Sequence, residues 1–202
     1  MRTTPIRMSE PALVQMTGML GLKGKWLLPE GEGGAKNFLK ARKEWEEAGL
    51  ARLDFDGELH LEPRMARLIY NMTHAQAAAL YEDGEQKVLL LKGPVDVLML
   101  EFIREEESWE LALRPFHETA EWLRSLAVIS SPGRLLTLRA GEEEPVCREL
   151  DKGTENGQNS QRRQKLAEGL ADLFGRPERA ALPEPEKEEE KDAGDSHCDD
   201  SV

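Results

Sequence analysis

The stretch "ARLDFDGELHLEP", Ala51 to Pro63, alternates apolar and polar residues on both sides of Asp56-Gly57 and follows a charged, amphipathic helical pattern. Two architectures begin this way. One is a DNA-binding winged helix, in which the two short strands are the wing; the other is an α+β domain in which they are a structural hairpin that begins a larger sheet. Register separates the buried side from the wet one. A two-residue Asp-Gly turn places Leu53 opposite His60 and Asp54 opposite Leu59, which mixes apolar with charged residues on each face. A three-residue loop, Phe55-Asp56-Gly57 with Gly57 in the left-handed region, pairs Leu53 with Leu59 and Ala51 with Leu61. One side is then apolar, and Arg52, Asp54, Glu58 and His60 form a solvated side. Shifting the loop by one residue pairs Phe55 with Leu59 and leaves the conclusion unchanged.

Upstream, Phe38, Ala41, Trp45 and Ala48 form one helical stripe in "AKNFLKARKEWEEAGL", with Gly49 at the helix-ending position. Before the turn-rich "PEGEGG", Ser9 and Pro11 open a first helix carrying Leu13, Met16 and Leu20 and ending near Gly21. Downstream, Met65, Leu68, Ile69 and Met72 share a face of a third helix that tolerates Pro63 near its start. Then "THAQAAALYEDGEQ" reads either as a capping box at Thr73 and Gln76 or as a strand from about Ala78 to the "EDGE" turn, and the strand is the reading taken. Three further runs, "QKVLLLKG", "VDVLMLEFI" and "SWELALR", complete an antiparallel meander. Val95 to Ile103, apolar on both faces, is its central strand. A covering helix follows, with Phe116, Ala120, Leu123 and Ala127 at helical spacing. "RLLTLRA" is one more strand before the acidic turn "GEEEP".

This order gives an α+β fold class: N-terminal helices and a winged-helix-like hairpin, then an antiparallel meander covered by a helix. The domain spans residues 1–150. A polar linker, 151–159, leads to an amphipathic helix, 160–175, with Ser160 as N-cap and Leu166, Leu170, Leu173 and Phe174 on one face. Residues 176–202 form an acidic tail. Ten of the 39 acidic and three of the 27 basic side chains lie between Pro177 and Val202, leaving 29 and 24 in the rest of the chain. With so few apolar residues, the tail has nothing to offset an ordering cost of about 1–2 kcal/mol per residue, so disorder is expected.

The chemistry-bearing residues are sparse. Cys147 and Cys198 make neither a disulfide framework nor a metal site. His60, His74, His117 and His197 lack ligand spacing, so no metal or other cofactor is expected. His117, Glu118 and Glu121 on one helix read as plain surface, and no nucleophile elbow or phosphate loop is present, which disfavours an enzyme. Lys36, Lys40 and Lys43 form the basic line that a nucleic-acid reading needs. Residues 36–62, however, hold five basic and seven acidic side chains, and an acidic wing repels phosphate. The N-terminus has no uninterrupted apolar block of a secretory signal, and no run reaches the roughly 20 residues of a membrane span. A cytoplasmic protein is expected, with its oligomeric state left open.

Over about residues 35–126, the "EEAGL" step, the "DFDGELHLEP" hairpin, the "RMARLIYNM" helix and the following sheet resemble EspG-type chaperones associated with type VII secretion. That resemblance implies a non-catalytic adaptor or chaperone, with a secreted protein as partner and no membrane or nucleic acid required. Two alternatives stay open. Leu166, Leu170, Leu173 and Phe174 either dock in a partner's groove or fold back onto their own sheet, and the whole protein is alternatively a winged-helix transcriptional regulator.

Overall fold

A strand apolar on both sides needs neighbours on both edges and cover on both faces, and β6 (Val97–Ile103) has them. It pairs antiparallel with β5 (Lys87–Lys92) and with β7 (Ser108–Arg114). The next strand, β4 (Ala77–Asp83), joins β5 through a turn in which the Asp83 carboxylate accepts from the Glu85 and Gln86 N–H groups. Together with β1 (Ile6–Ser9), β8 (Gly133–Arg139) and β9 (Val146–Leu150) they make a seven-stranded antiparallel sheet of order β1-β7-β6-β5-β4-β8-β9. The computed structural model describes residues 4–31, 34–56, 58–126, 131–151 and 158–175. Gly57, expected in the left-handed region, Ala127, expected on the covering helix, residues 152–157 of the linker, and the tail with His197 and Cys198 lie outside the described residues.

Strand alternation divides the core in two. Leu89, Leu91, Leu98 and Leu100, all 0 % exposed, point to one face. There they meet α1 (Glu10–Met19), α2 (Ala35–Glu47) and α3 (Pro63–Thr73), through Leu13, Met16, Trp45, Met65, Leu68 and Met72. Val88, Leu90, Val97 and Met99 point to the other face, against α4 (Phe116–Ser125) and α5 (Gln158–Phe174). Burying each such side chain contributes about 1.5–3 kcal/mol, so the sheet centre carries most of the stability. The two helical layers are staggered. The first lies over β1, β7, β6, β5 and β4 and is met by Leu136 and Leu138 of β8, and the second lies over β6, β5, β4, β8 and β9.

The hairpin has the register worked out from its alternation: β2 (Ala51–Leu53) pairs with β3 (Leu59–Leu61) as Ala51 with Leu61 and Leu53 with Leu59. It does not begin the larger sheet, as expected, but stands apart as a two-stranded sheet. The reason is length. Each strand has three residues, the Glu62 N–H closes on the Leu50 carbonyl at 2.9 Å, and α3 starts at Pro63, so no strand remains to pair elsewhere. Only Ala51 is fully buried; Leu53 and Leu59 are half-buried and Leu61 is 40 % exposed.

Other differences are local. β1 and β9 were not expected. Ile6 and Met8 are buried against the first helical layer while Arg7 faces out, and Leu150 anchors β9 from its end. The buried positions of α4 are Thr119 and Leu123, with Leu126 just beyond its end, rather than Ala120. The strand reading taken for the segment after Thr73 agrees with β4 at Ala77–Asp83, and the Thr73 hydroxyl turns back to the Ile69 and Tyr70 carbonyls. Helix α5 begins at Gln158, two residues ahead of the expected Ser160 cap.

Candidate functional site

The C-terminal helix is where the sequence left its sharpest choice. Leu166 and Leu173 are buried and Leu170 and Phe174 partly buried, all four in the cluster on the second face of the sheet. The Phe174 ring meets Phe116 edge-on at 5.8 Å. These residues therefore serve the chain's own core, and they are open to another chain only when α5 leaves the sheet. Gly169 shows how close the approach is: a Cβ there would lie 2.3 Å from Leu135 Cδ2.

Polar groups hold both ends of α5. Near its start, Arg162 is 1 % exposed. It donates through Nε to the Leu126 carbonyl at 2.8 Å, through Nη1 to the Ser131 and Asp151 carbonyls at 3.0 and 2.9 Å, and through Nη2 to the Tyr81 hydroxyl at 3.4 Å. Tyr81 in turn donates to Asp83 at 2.7 Å. Burial, with the Asp83 carboxylate beside it, pushes the Tyr81 hydroxyl up to about 12, so it stays a donor at neutral pH. Burial alone would raise Asp83, but the Gln86 N–H and the Tyr81 hydroxyl hold it below the usual carboxylate range. The positive charge of Arg162 is thus relayed to a carboxylate two side chains away. Near the end of α5, Asp172 accepts from Arg148 and, at 2.8 Å, from Arg139; Arg139 also donates to the Asp172 and Ala171 carbonyls. A cation on the last carbonyls of a helix is favourable.

Between α5 and the edge of β4 and β8 runs an open cleft of about 1110 Å³, lined by Gln76, Lys92, Arg139, Arg148, Glu168 and Asp172. Its arginines are already spent on α5, Arg148 also reaching Glu168 at 3.5 Å. The cleft's chemistry suits a latch on the helix.

On the opposite face the same end of the sheet is only partly covered among the described residues. The fully buried side chains of the first core end at β4. Leu136 and Leu138 of β8 are only half-buried and Cys147 of β9 is exposed. An ion-pair cluster flanks them: Glu82 meets Arg134, its cross-strand partner, at 2.5 Å and Lys87 at 3.3 Å. Partial burial would raise Glu82, yet Arg134 and Lys87 hold it below the usual range. Among the described residues β9 has a sheet partner on one side only, so its outer edge offers backbone groups for pairing.

The nucleic-acid candidates sit elsewhere. Lys36, Lys40 and Lys43 are exposed on α2, with Lys43 3.5 Å from Glu47. The neighbouring hairpin turn gathers Asp54, Glu58 and His60, with ligand-type atoms within 4.8 Å of one another. Sequence spacing had missed this group, because antiparallel pairing, not helical spacing, brings it together. Asp54 is already engaged: it accepts from the Asp56 and Glu58 N–H groups at 3.0 and 2.8 Å and lies 2.7 Å from His60 Nε2. His60 first, then those N–H groups, keep Asp54 below the usual carboxylate range. His74 stacks on Tyr70, and His117 is exposed at the start of α4. Among the described residues no helix is long and apolar enough to cross a membrane. No family description, curated protein or solved structure matches the chain.

Proposed function

We propose that this protein is a non-catalytic adaptor or chaperone that receives a helical segment of another protein on the partly covered β8–β9 face of its sheet. The observation that carries this reading is the stagger of the helical layers. Sheet faces are stable when a layer covers them, and here, among the described residues, the cover thins at Leu136 and Leu138, half-buried against the first core, and Cys147 beyond them is exposed beside the outer edge of β9. A partner helix laid alongside α3 continues the existing layer. The charged rim of Glu82, Arg134 and Glu149 supplies orientation more than affinity. A chaperone for a secreted substrate is also what the EspG-type resemblance implies.

The test is affinity capture from the native host at low salt with Leu136→Asp and Leu138→Asp as controls. A stoichiometric protein partner retained by the wild type and lost by both variants, with unchanged melting, supports the proposal. Capture that ignores both substitutions refutes the site. The regulator reading is favoured by one observation, the exposure of Lys36, Lys40 and Lys43. It predicts salt-dependent DNA binding that Glu at those three positions abolishes, against the repulsion of Asp54, Asp56 and Glu58.

A further inference from the structure

Phe55 is fully exposed, at 110 % of its reference area, on the apex of the β2–β3 turn. A ring held out in water buries about 150–250 Å² when a partner covers it. The described residues around it are tied together. The Asp54 carboxylate gathers two backbone N–H groups and the His60 ring, and the Asp54 N–H bonds the Glu58 carbonyl at 3.0 Å. Phe55 is thereby presented on a pre-organised tip, where little ordering is left for binding to cost. Asp56 and Glu58 make its surroundings acidic.

At the β1 edge of the molecule, opposite to β9, lies a groove of about 190 Å³ with a mainly apolar floor of Ile6, Leu68, Leu111 and Leu113. The volume is below the roughly 300 Å³ at which small-molecule pockets begin, so it fits a single large side chain. Its rim carries Arg64 and Arg67. Arg64 is exposed and donates only to the Thr4 and Pro5 carbonyls, which leaves its charge without a carboxylate among the described residues. Arg67 is paired with Asp96 at 2.5 Å.

We infer that this groove receives Phe55 of a second copy of the chain, with Asp56 and Glu58 of that copy against Arg64. Size and charge match: an aromatic with an acidic collar meets an apolar slot with a basic rim. Two copies that exchange tips reciprocally are related by a twofold axis, and the dimer is closed. The site lies at the other end of the sheet from the proposed adaptor face and stands independently of it.

The experiment is sedimentation equilibrium of the full chain over a concentration series, with Phe55→Ser and Arg64→Glu, both at exposed positions, and melting curves to show that each variant is folded. The expected result is a wild-type dimer whose dissociation constant rises at least about tenfold in each variant. Adding Asp56→Lys to Arg64→Glu is expected to recover the dimer. A wild type that stays monomeric to about 1 mM overturns the inference. So does a dimer indifferent to Phe55→Ser, or a ladder of larger species. Capture of a different protein by Phe55 without any dimer also overturns it and assigns the tip to that partner.

Discussion

Replacing Arg162 by Met keeps an apolar stem of similar reach and removes every donor the guanidinium supplies. Three carbonyls then lose a partner. A buried acceptor left without a donor costs about 1–3 kcal/mol, and water reaches some acceptors better than others. Leu126 is buried, whereas Ser131 is half-buried and Asp151 exposed, so the full cost falls on the first and a part on the other two. The sum is on the order of 3 kcal/mol. The Tyr81 hydroxyl loses a donor but keeps Asp83 as its acceptor, and adds little. Because all four contacts tie α5 to the rest of the fold, the loss is predicted to be local. Amide exchange in α5 should accelerate on the order of a hundredfold, since each 1.4 kcal/mol is a factor of ten, while amides of β5 follow only the change in global stability. Hydrogen exchange read peptide by peptide distinguishes the two. Equal protection of α5 in the wild type and Arg162→Met would refute the argument that this side chain latches the helix.

Gly169→Ala sets a gain of about 1 kcal/mol in helix propensity against a Cβ 2.3 Å from a Leu135 that is itself 0 % exposed. The clash should win, giving a lower melting temperature, and a rise would mean that α5 rides further from the sheet. Gly93→Ala brings a Cβ to 2.0 Å from Asn71 Oδ1 and 3.1 Å from the Asp96 carbonyl, and a loss of about 1–3 kcal/mol in urea unfolding is expected. Leu53→Ala and Leu59→Ala, at half-buried positions, should each cost about 1 kcal/mol, below the 2–5 of a fully buried leucine; a larger loss would place them deeper than described. Glu82 has a depressed folded-state pKa, so its contribution is present above its ordinary value of 4.5 and is lost as pH falls through the lower folded one. Glu82→Gln should therefore flatten the acid limb of a stability profile, and an unchanged limb would show that the Arg134 pair contributes nothing.

The meander was legible because its signals are local and strong. Val97 to Ile103 is apolar on both faces, and Trp109, Leu111 and Leu113 alternate with polar residues. The hairpin register followed from alternation alone, but its separation from the main sheet did not, since that depends on where α3 takes over the chain. β1 escaped notice because four residues carry too little periodicity, and its partner is far along the sequence. β9 escaped for a different reason: "VCREL" is a poor strand by propensity and is held by pairing with β8 and by Arg148 reaching α5. Of the candidate sites, the stripe of α5 was visible but not its destination. Arg162 gave no signal, since a buried arginine served by carbonyls reads as one more surface charge. Nor did sequence spacing reveal Phe55 as an exposed anchor, because the alternative register would have paired it with Leu59.

The pairing of β1 with β7 also imposes an order in time. Arg7 and Glu110, neighbours in the finished sheet, are 103 residues apart. At about 5–20 residues per second of synthesis, the nascent β1 waits roughly 5–20 s for its partner to be made. Helices α1 to α3 and the meander can settle in that interval through near-neighbour contacts, whereas the outermost strand must be added across a long loop, a slow kind of closure. Once β7 has been made, its outer edge is a template for any passing strand until β1 docks. A strand made well before the meander is thus among the last to be secured, and the time open to misassociation is set by the rate of synthesis as much as by the fold.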